Sequence, residues 1–145
     1  MAHFEQSFQL HVPSSPEHQS MIRDFVNQVG SRAGFDENQV QMLTLAVDEA
    51  VANVIEHAYR MDPSKAIQVR IIVDDEQVQI DIVDTGESFD PARVKQKGLD
   101  QLVAERRSGG LGLRLIRTIM DDVQYRIIPG EMNELRMVKR LPKKS

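Results

Sequence analysis

From Asp36 to Tyr59 the chain carries apolar residues at helical spacing, with no proline or glycine to interrupt them. Leu43, Val47, Val51, Val54, Ile55 and Ala58 fall on one side of such a helix and can cover a core. The opposite stripe is polar. Glu49 and Asn53 are four residues apart and stack on one helical face, and His57 continues the stripe by another four. Asp36 with Gln39 three residues later marks the helix start as a capping box. Asp62-Pro63 marks its end, because the residue before a proline avoids helical geometry. A helix with one long apolar face must bury it against a second layer, which restricts the fold to layered architectures. A carboxylate and an amide at this spacing suit a metal-and-base site, and they equally describe a solvated helix surface.

The segments on either side supply that second layer. Phe4, Gln6, Phe8, Leu10 and Val12 share parity and predict a half-buried strand. Pro13-Ser14-Ser15-Pro16 then opens a helix, with Ser15 as N-cap and Pro16 at its first position. Met21, Ile22, Phe25, Val26 and Val29 form its apolar stripe, and Gly30 and Gly34 end it. Ile67, Val69, Ile71 and Val73 alternate, as do Val78, Ile80 and Ile82, with a turn at Asp74-Asp75-Glu76-Gln77, which predicts an antiparallel hairpin. Residues 87 to 109 have only scattered apolar positions and read as a long connection with a short helix around Leu99 to Ala104. Long connections in compact domains tend to be lids or binding loops. Leu111, Leu115, Ile116, Ile119 and Met120 form another helical stripe. Val123-Tyr125-Ile127 and Leu135-Met137-Val138 predict two last strands joined at Pro129-Gly130. This order predicts an α/β (α+β) two-layer sandwich with a mixed, mostly antiparallel sheet and helices on one face. There are no internal repeats, and residues 1–145 are expected to form one domain.

Composition narrows the function. With 41% hydrophobic and 28% charged residues, the chain has the make-up of an ordinary globular protein. A net charge of −4 and the absence of Trp disfavour a nucleic-acid surface. There are no cysteines, hence no disulfide or thiolate metal site, which fits a reducing cytoplasm. No apolar run approaches the ~18 residues of a membrane span. Neither a Gly-x-x-x-x-Gly-Lys loop nor a strand-linked Gly-x-Gly-x-x-Gly is present.

Three motifs carry chemistry, in order: Glu49-x-x-x-Asn53, Asp84-x-Gly86, and Gly109-Gly110-Leu111-Gly112. Asp84 follows Ile80-Asp81-Ile82-Val83, so a strand end presents its carboxylate, which can accept from an exocyclic amine such as adenine's. Read blandly, Asp-x-Gly is a turn. The glycines of the third motif let backbone approach phosphates where a helix N-terminus offers free N–H groups, or else they form a hinge. Arg106 and Arg107 just upstream can pair with phosphate oxygens or be solvated loop charges.

Taken together, the three motifs resemble the N, G1 and G2 boxes of the histidine-kinase-like (GHKL, Bergerat-fold) ATPase superfamily. Asp48-Glu49-Ala50-Val51-Ala52-Asn53-Val54-Ile55-Glu56-His57-Ala58-Tyr59, Asp84-Thr85-Gly86-Glu87-Ser88-Phe89-Asp90-Pro91, Gly109-Gly110-Leu111-Gly112-Leu113 and Met120-Asp121-Asp122-Val123 are similar to the bacterial anti-sigma factors that are also serine-protein kinases. The resemblance runs from about residue 5 to 140. It implies an ATP pocket between the sheet and a lid of residues 87 to 109. Asn53 would coordinate Mg²⁺, with His57 beside it as a neighbour of the nucleotide rather than a catalyst. Asp84 would recognise the adenine amine and Gly86 would leave room for the ring. Gly109, Gly110, Leu111 and Gly112 would hold the phosphates. Glu49 would be the general base toward a serine or threonine hydroxyl, and Arg107, or Arg106, would neutralise charge on the transferring group.

The implied protein is a cytoplasmic ATP- and Mg²⁺-dependent serine/threonine-protein kinase and anti-sigma factor. It would sequester a sigma factor and phosphorylate a STAS-domain anti-anti-sigma factor, as a homodimer, with no nucleic-acid or membrane contact of its own. Two alternatives stand beside it: a non-catalytic, nucleotide-gated anti-sigma binding module, and a switch kinase acting on a signalling scaffold. The chain departs from the superfamily pattern in three places, one being an extra residue in the run from Ser108 to Gly110 relative to some relatives. Ser88 and Phe89 occupy the region of the second G1 glycine, and Met132-Asn133-Glu134 stand where much of the superfamily has a threonine near the adenine.

Overall fold

The computed structural model describes residues 5–86, 111–128 and 130–142, with side chains from Arg114 onward in the second of these segments. Strand β1 (Gln6–Pro13) is followed by a short 3₁₀ turn, Pro16–His18, and helix α1 (Gln19–Ala33). Helix α2 (Glu37–Asn53) runs into a π-helical turn, Val54–Ala58, and then come strands β2 (Ala66–Val73) and β3 (Gln77–Asp84). Helix α3 (Leu111–Ile119) and strands β4 (Asp122–Ile128) and β5 (Met132–Arg140) complete the described elements. The five strands form one sheet in the order β1-β2-β3-β5-β4, and every pairing is antiparallel. The expected mixed sheet is therefore antiparallel throughout its described strands.

Alternation explains the layers. Val12, Ile67, Val69, Ile71, Val78, Ile80, Ile82 and Met137 point to one face and are buried. There they meet Ile22, Val26 and Val29 of α1, Leu43, Val47 and Val51 of α2, and Ile116 and Ile119 of α3. All six apolar positions expected to face the core from the long helical run are buried there. Met21 is not. It is 50% exposed, because it precedes Ile22 on the outer shoulder of α1. No helix among the described residues is long and apolar enough to cross a membrane.

The opposite sheet face carries an ion lattice. Asp81 is 0% exposed, on the side of β3 opposite the core residues Ile80 and Ile82. Arg70 lies across from it on β2 and Arg136 on β5. Arg70 Nε and Nη2 donate to Asp81 Oδ2 at 3.2 and 3.0 Å, and Arg136 Nε donates to Oδ1 at 3.1 Å. Glu134, one pair along, takes Arg136 Nη2 at 3.1 Å and Arg126 Nη2 at 3.5 Å. The hydrogen bond to Asp81 holds the Arg136 guanidinium more firmly protonated than an isolated one. Arginines cover the carboxylates with their stems while their heads stay partly wet.

Local signals set the ends of the helices. Asp36 Oδ1 accepts from Gln39 N at 2.7 Å and Gln39 Oε1 accepts from Asp36 N at 3.0 Å, so both halves of the capping box form. Gly34 ends α1 in the left-handed region at φ 113°, which suits a residue without a side chain. Gly30 is a correction to the expected end, since it lies inside α1 with Val40 and Leu43 packed over it. The Ser15 side chain makes no capping bond. Its backbone carbonyl takes His18 N–H instead, which satisfies the three-residue 3₁₀ turn before α1 begins.

Candidate functional site

The polar stripe of α2 reaches the helix end and changes there. Glu49 and Asn53 occupy the last α-helical turn, both half-buried. Their neighbour Asp48 points elsewhere: its Oδ1 takes Arg23 Nη1 at 2.9 Å and Gln19 Nε2 at 3.2 Å, tying α1 to α2. After Asn53 the hydrogen bonding shifts from i→i+4 to i→i+5, with Tyr59 N–H donating to Val54 O at 2.9 Å. His57 therefore does not continue the Glu49–Asn53 stripe in α-helical register. It lies in the π-turn, 3.7 Å from Glu56 through Nε2. Such one-turn π segments are rare and recur at functional sites. Arg60 and Met61 then take positive φ, 48° and 64°, and reverse the chain before Pro63.

Asn53, at the end of α2, is left with a group that the described residues do not satisfy. Its Oδ1 is buried and has no hydrogen-bond partner among the described residues. An orphaned buried acceptor is costly, about 1–3 kcal/mol, unless something occupies it. A carboxamide oxygen is a hard ligand of the kind Mg²⁺ takes together with water and substrate phosphates. No cluster of three or more acidic, His or Cys side chains exists among the described residues, so a full protein cage for a cation is absent there. Asn53 thus fits an ion held mainly by its substrate.

The second motif is packed against the end of this same helix. Asp84 ends β3 on the helix-facing side and is only 4% exposed. Its Oδ1 takes Gly86 N–H at 2.9 Å and Asn133 Nδ2 at 2.9 Å, and Asn133 Nδ2 also reaches Gly86 O at 3.2 Å. Tyr59 supplies the clamp between the two elements. Its hydroxyl takes Thr85 N–H at 2.8 Å and donates to Ala66 O at 2.7 Å. Gly86 lies so close that a Cβ there would collide with the Ala58 carbonyl oxygen and come within 2.8 Å of Tyr59 Cδ1. The missing side chain is thus required by the protein's own backbone, a reason separate from room for a ring.

The third motif is described only in part. Leu111 and Gly112 form the first turn of α3, whose Ile116 and Ile119, with Met120 just after it, enter the core with α2. Gly109, Gly110, Arg106 and Arg107 lie outside the described residues, as do the lid of residues 87–109 up to Gly86's neighbour and the helix expected around Leu99 to Ala104. The described structure packs Gly86, just past the end of β3, against Ala58 and Tyr59, five and six residues after Asn53 ends α2. Tyr59 and Asn133 were not singled out as site residues from sequence. Both are recognisable only through contacts with partners 26 and 49 residues away.

Residues 12–139 match the model of the histidine kinase-like ATPase domain. The chain belongs to that family. Within it, the chain is 36% identical over 123 residues to the serine-protein kinase RsbW of Bacillus licheniformis, covering 81% of this chain and 76% of the relative. It is 35% identical over 128 residues to serine-protein kinase RsbW of Listeria monocytogenes serovar 1/2a, covering 86% and 82%. The corresponding protein of Bacillus subtilis strain 168 is 34% identical over 121 residues, covering 80% and 75%. The chain is thus a member of the serine-protein kinase branch, and the ATP-binding fold expected from its three motifs is the fold it has.

Proposed function

We propose that this chain transfers the γ-phosphoryl group of ATP to a serine hydroxyl of a regulatory partner protein. The partner is an anti-anti-sigma factor of the STAS fold, and the unphosphorylated partner competes with a sigma factor for this chain. The observation that carries the reading is Asn53 Oδ1, buried without a partner among the described residues, one helical turn from Glu49. It supports a site in which one side chain holds Mg²⁺ and the next acts on a proton.

The residues divide the work. Asp84 accepts from the adenine amine at the closed end of the site. The backbone amides that open α3 at Leu111 and Gly112, with Gly109 and Gly110 before them, bind phosphate oxygens at a helix N-terminus. Bound Mg²⁺ would be held by Asn53 and would neutralise phosphate charge. Glu49 accepts the proton of the serine hydroxyl as its oxygen bonds to the γ-phosphorus and the bond to the β,γ-bridging oxygen breaks, releasing ADP. Arg107, or Arg106, pairs with the transferring group. His57, displaced by the π-turn, borders the site without a step of its own. The working form in this reading is a homodimer in the cytoplasm.

The test is phosphotransfer from γ-labelled ATP to a STAS-domain partner with Mg²⁺ present. Glu49→Gln retains ATP binding and loses label transfer by a factor of about 10²–10⁴, the usual weight of a general base. Transfer at the wild-type rate by this variant would remove Glu49 from the role. Sigma binding that responds to ATP with no label transferred by the wild type would make the chain a nucleotide-gated binding module instead.

A further inference from the structure

Asn133 sits on the helix-facing side of β5, directly opposite Asp84 on β3, and is 2% exposed. The orientation of its amide is determined by its neighbours. Nδ2 faces two acceptors, Asp84 Oδ1 at 2.9 Å and Gly86 O at 3.2 Å. Turning the amide over would set its oxygen against a carboxylate and a carbonyl, with no hydrogen between them. Oδ1 is therefore fixed on the other side, and it is buried without a partner among the described residues. The polar group next to the base-reading carboxylate is thus an acceptor waiting for a donor.

We propose that Asn133 Oδ1 is a second acceptor for the nucleotide base, taking one hydrogen of an exocyclic amine while the Asp84 carboxylate takes the other. This rests on the reading that Asp84 faces the base. The dimensions agree. An amine that donates both hydrogens at ordinary distances sets its acceptors about 5 Å apart. Asp84 Oδ1 already accepts from Gly86 N–H and Asn133 Nδ2, and the bond lengths of an amide keep Asn133 Oδ1 within about 5 Å of it, so the carboxylate and the amide oxygen lie within reach of one amine. Two acceptors side by side select a 6-amino purine. A guanine would place its O6 acceptor against both, and an unsubstituted purine would leave both unpaired. Asn133 does two things at once, since Nδ2 positions Asp84 and Oδ1 reads the base.

The test compares ATP, N6-methyl-ATP, purine riboside triphosphate and GTP by titration calorimetry. The proteins are the wild type and Asn133→Thr, which keeps a hydroxyl donor for Asp84 but lacks the amide oxygen. In the wild type, methylation of N6 removes one donated hydrogen and weakens binding about tenfold. In Asn133→Thr the same methylation costs less than about twofold, while purine riboside triphosphate still binds more weakly than ATP through Asp84. A purely positioning role for Asn133 would lower all affinities together and leave the methylation ratio unchanged, which overturns the proposal. N6-methyl-ATP binding the wild type as well as ATP does the same with no variant needed. If the wild type binds ATP no better than purine riboside triphosphate, the assignment of Asp84 to the base fails first and takes this inference with it.

Discussion

Replacing Gly86 by alanine separates two reasons for having glycine at that position. If the glycine only leaves room for a bound base, the ligand-free protein should tolerate a methyl group and only nucleotide affinity should fall. The structure predicts otherwise. A Cβ would collide with the Ala58 carbonyl oxygen, and would lie 2.7 Å from the carbonyl carbon and 2.8 Å from Tyr59 Cδ1. Non-bonded carbon contacts are comfortable near 3.5–4 Å, so the strand end and the π-turn must part by roughly 1 Å. Two of the three atoms belong to backbone, which no rotamer change can move. Overpacking of this kind costs about 1–3 kcal/mol. The same displacement strains the hydrogen bonds of Gly86 N–H to Asp84, of Asn133 to Gly86 O and of Thr85 N–H to Tyr59. Losing one of them adds about 1 kcal/mol.

The expected destabilisation is then about 2–4 kcal/mol, or a fall in Tm of roughly 6–15 °C for a chain of this size. It should be read by thermal and urea unfolding in the absence of nucleotide. With Asp84 in its proposed role toward the base, ATP affinity should fall as well, because Asp84 shares the displaced hydrogen bonds. Ala58→Gly should not rescue the variant, since the obstacle is the carbonyl and not the methyl group. Gly130→Ala is the control: at φ 74° with nothing within 4 Å of its Cβ, it pays only for left-handed backbone, about 1–2 kcal/mol. A ligand-free Gly86→Ala protein within about 2 °C of wild type would refute the steric argument.

Tyr59→Phe removes the hydroxyl that joins Thr85 to Ala66 and should cost about 1–2 kcal/mol in urea unfolding, since both partners lie on exposed residues and water can partly replace it. An unchanged midpoint would mean that the clamp contributes nothing. Asp81→Asn removes one of the two carboxylates, Asp81 and Glu134, that Arg70 and Arg136 share, and should cost about 2–3 kcal/mol, below the value for a wholly buried pair because both guanidinium groups are partly exposed. Arg70→Met with Asp81→Leu should recover much of that loss, and failure to do so would count against the lattice as its cause. Asp62 accepts from the Ser64 hydroxyl and then from its amide, which holds the carboxyl below its ordinary 3.8. A lowered folded-state value gives stability that is full above 3.8 and is lost as pH falls from there through the lower folded value, so the Tm gap between wild type and Asp62→Ala should shrink in acid. A gap independent of pH would exclude the carboxylate as its source.

What could be read from the sequence divides along a physical line. Period-2 and period-3.6 patterns found every described strand and helix, because burial on one face imposes its own spacing regardless of what lies across from it. The Asp36–Gln39 box and Gly34 were legible for the same reason, as each closes its hydrogen bonds within a few residues. Features that depend on register or approach were not. Asp81 looks like the polar half of an alternating strand, and only the registers with β2 and β5 surround it with Arg70 and Arg136. The π-turn at Val54–Ala58 carries no glycine or proline to announce it, and it shifts His57 out of a stripe that helical arithmetic assigned to it. The Asp84-x-Gly86 motif was legible as chemistry, whereas its geometry depends on Ala58 and Tyr59 at the end of the π-turn and on Asn133 of β5. The order β3-β5-β4 is what sets Asn133 opposite Asp84, and no local pattern specifies that order. A site residue is therefore found from sequence when its own chemistry marks it. One that acts by holding its neighbour appears only when the chain's strands are laid side by side.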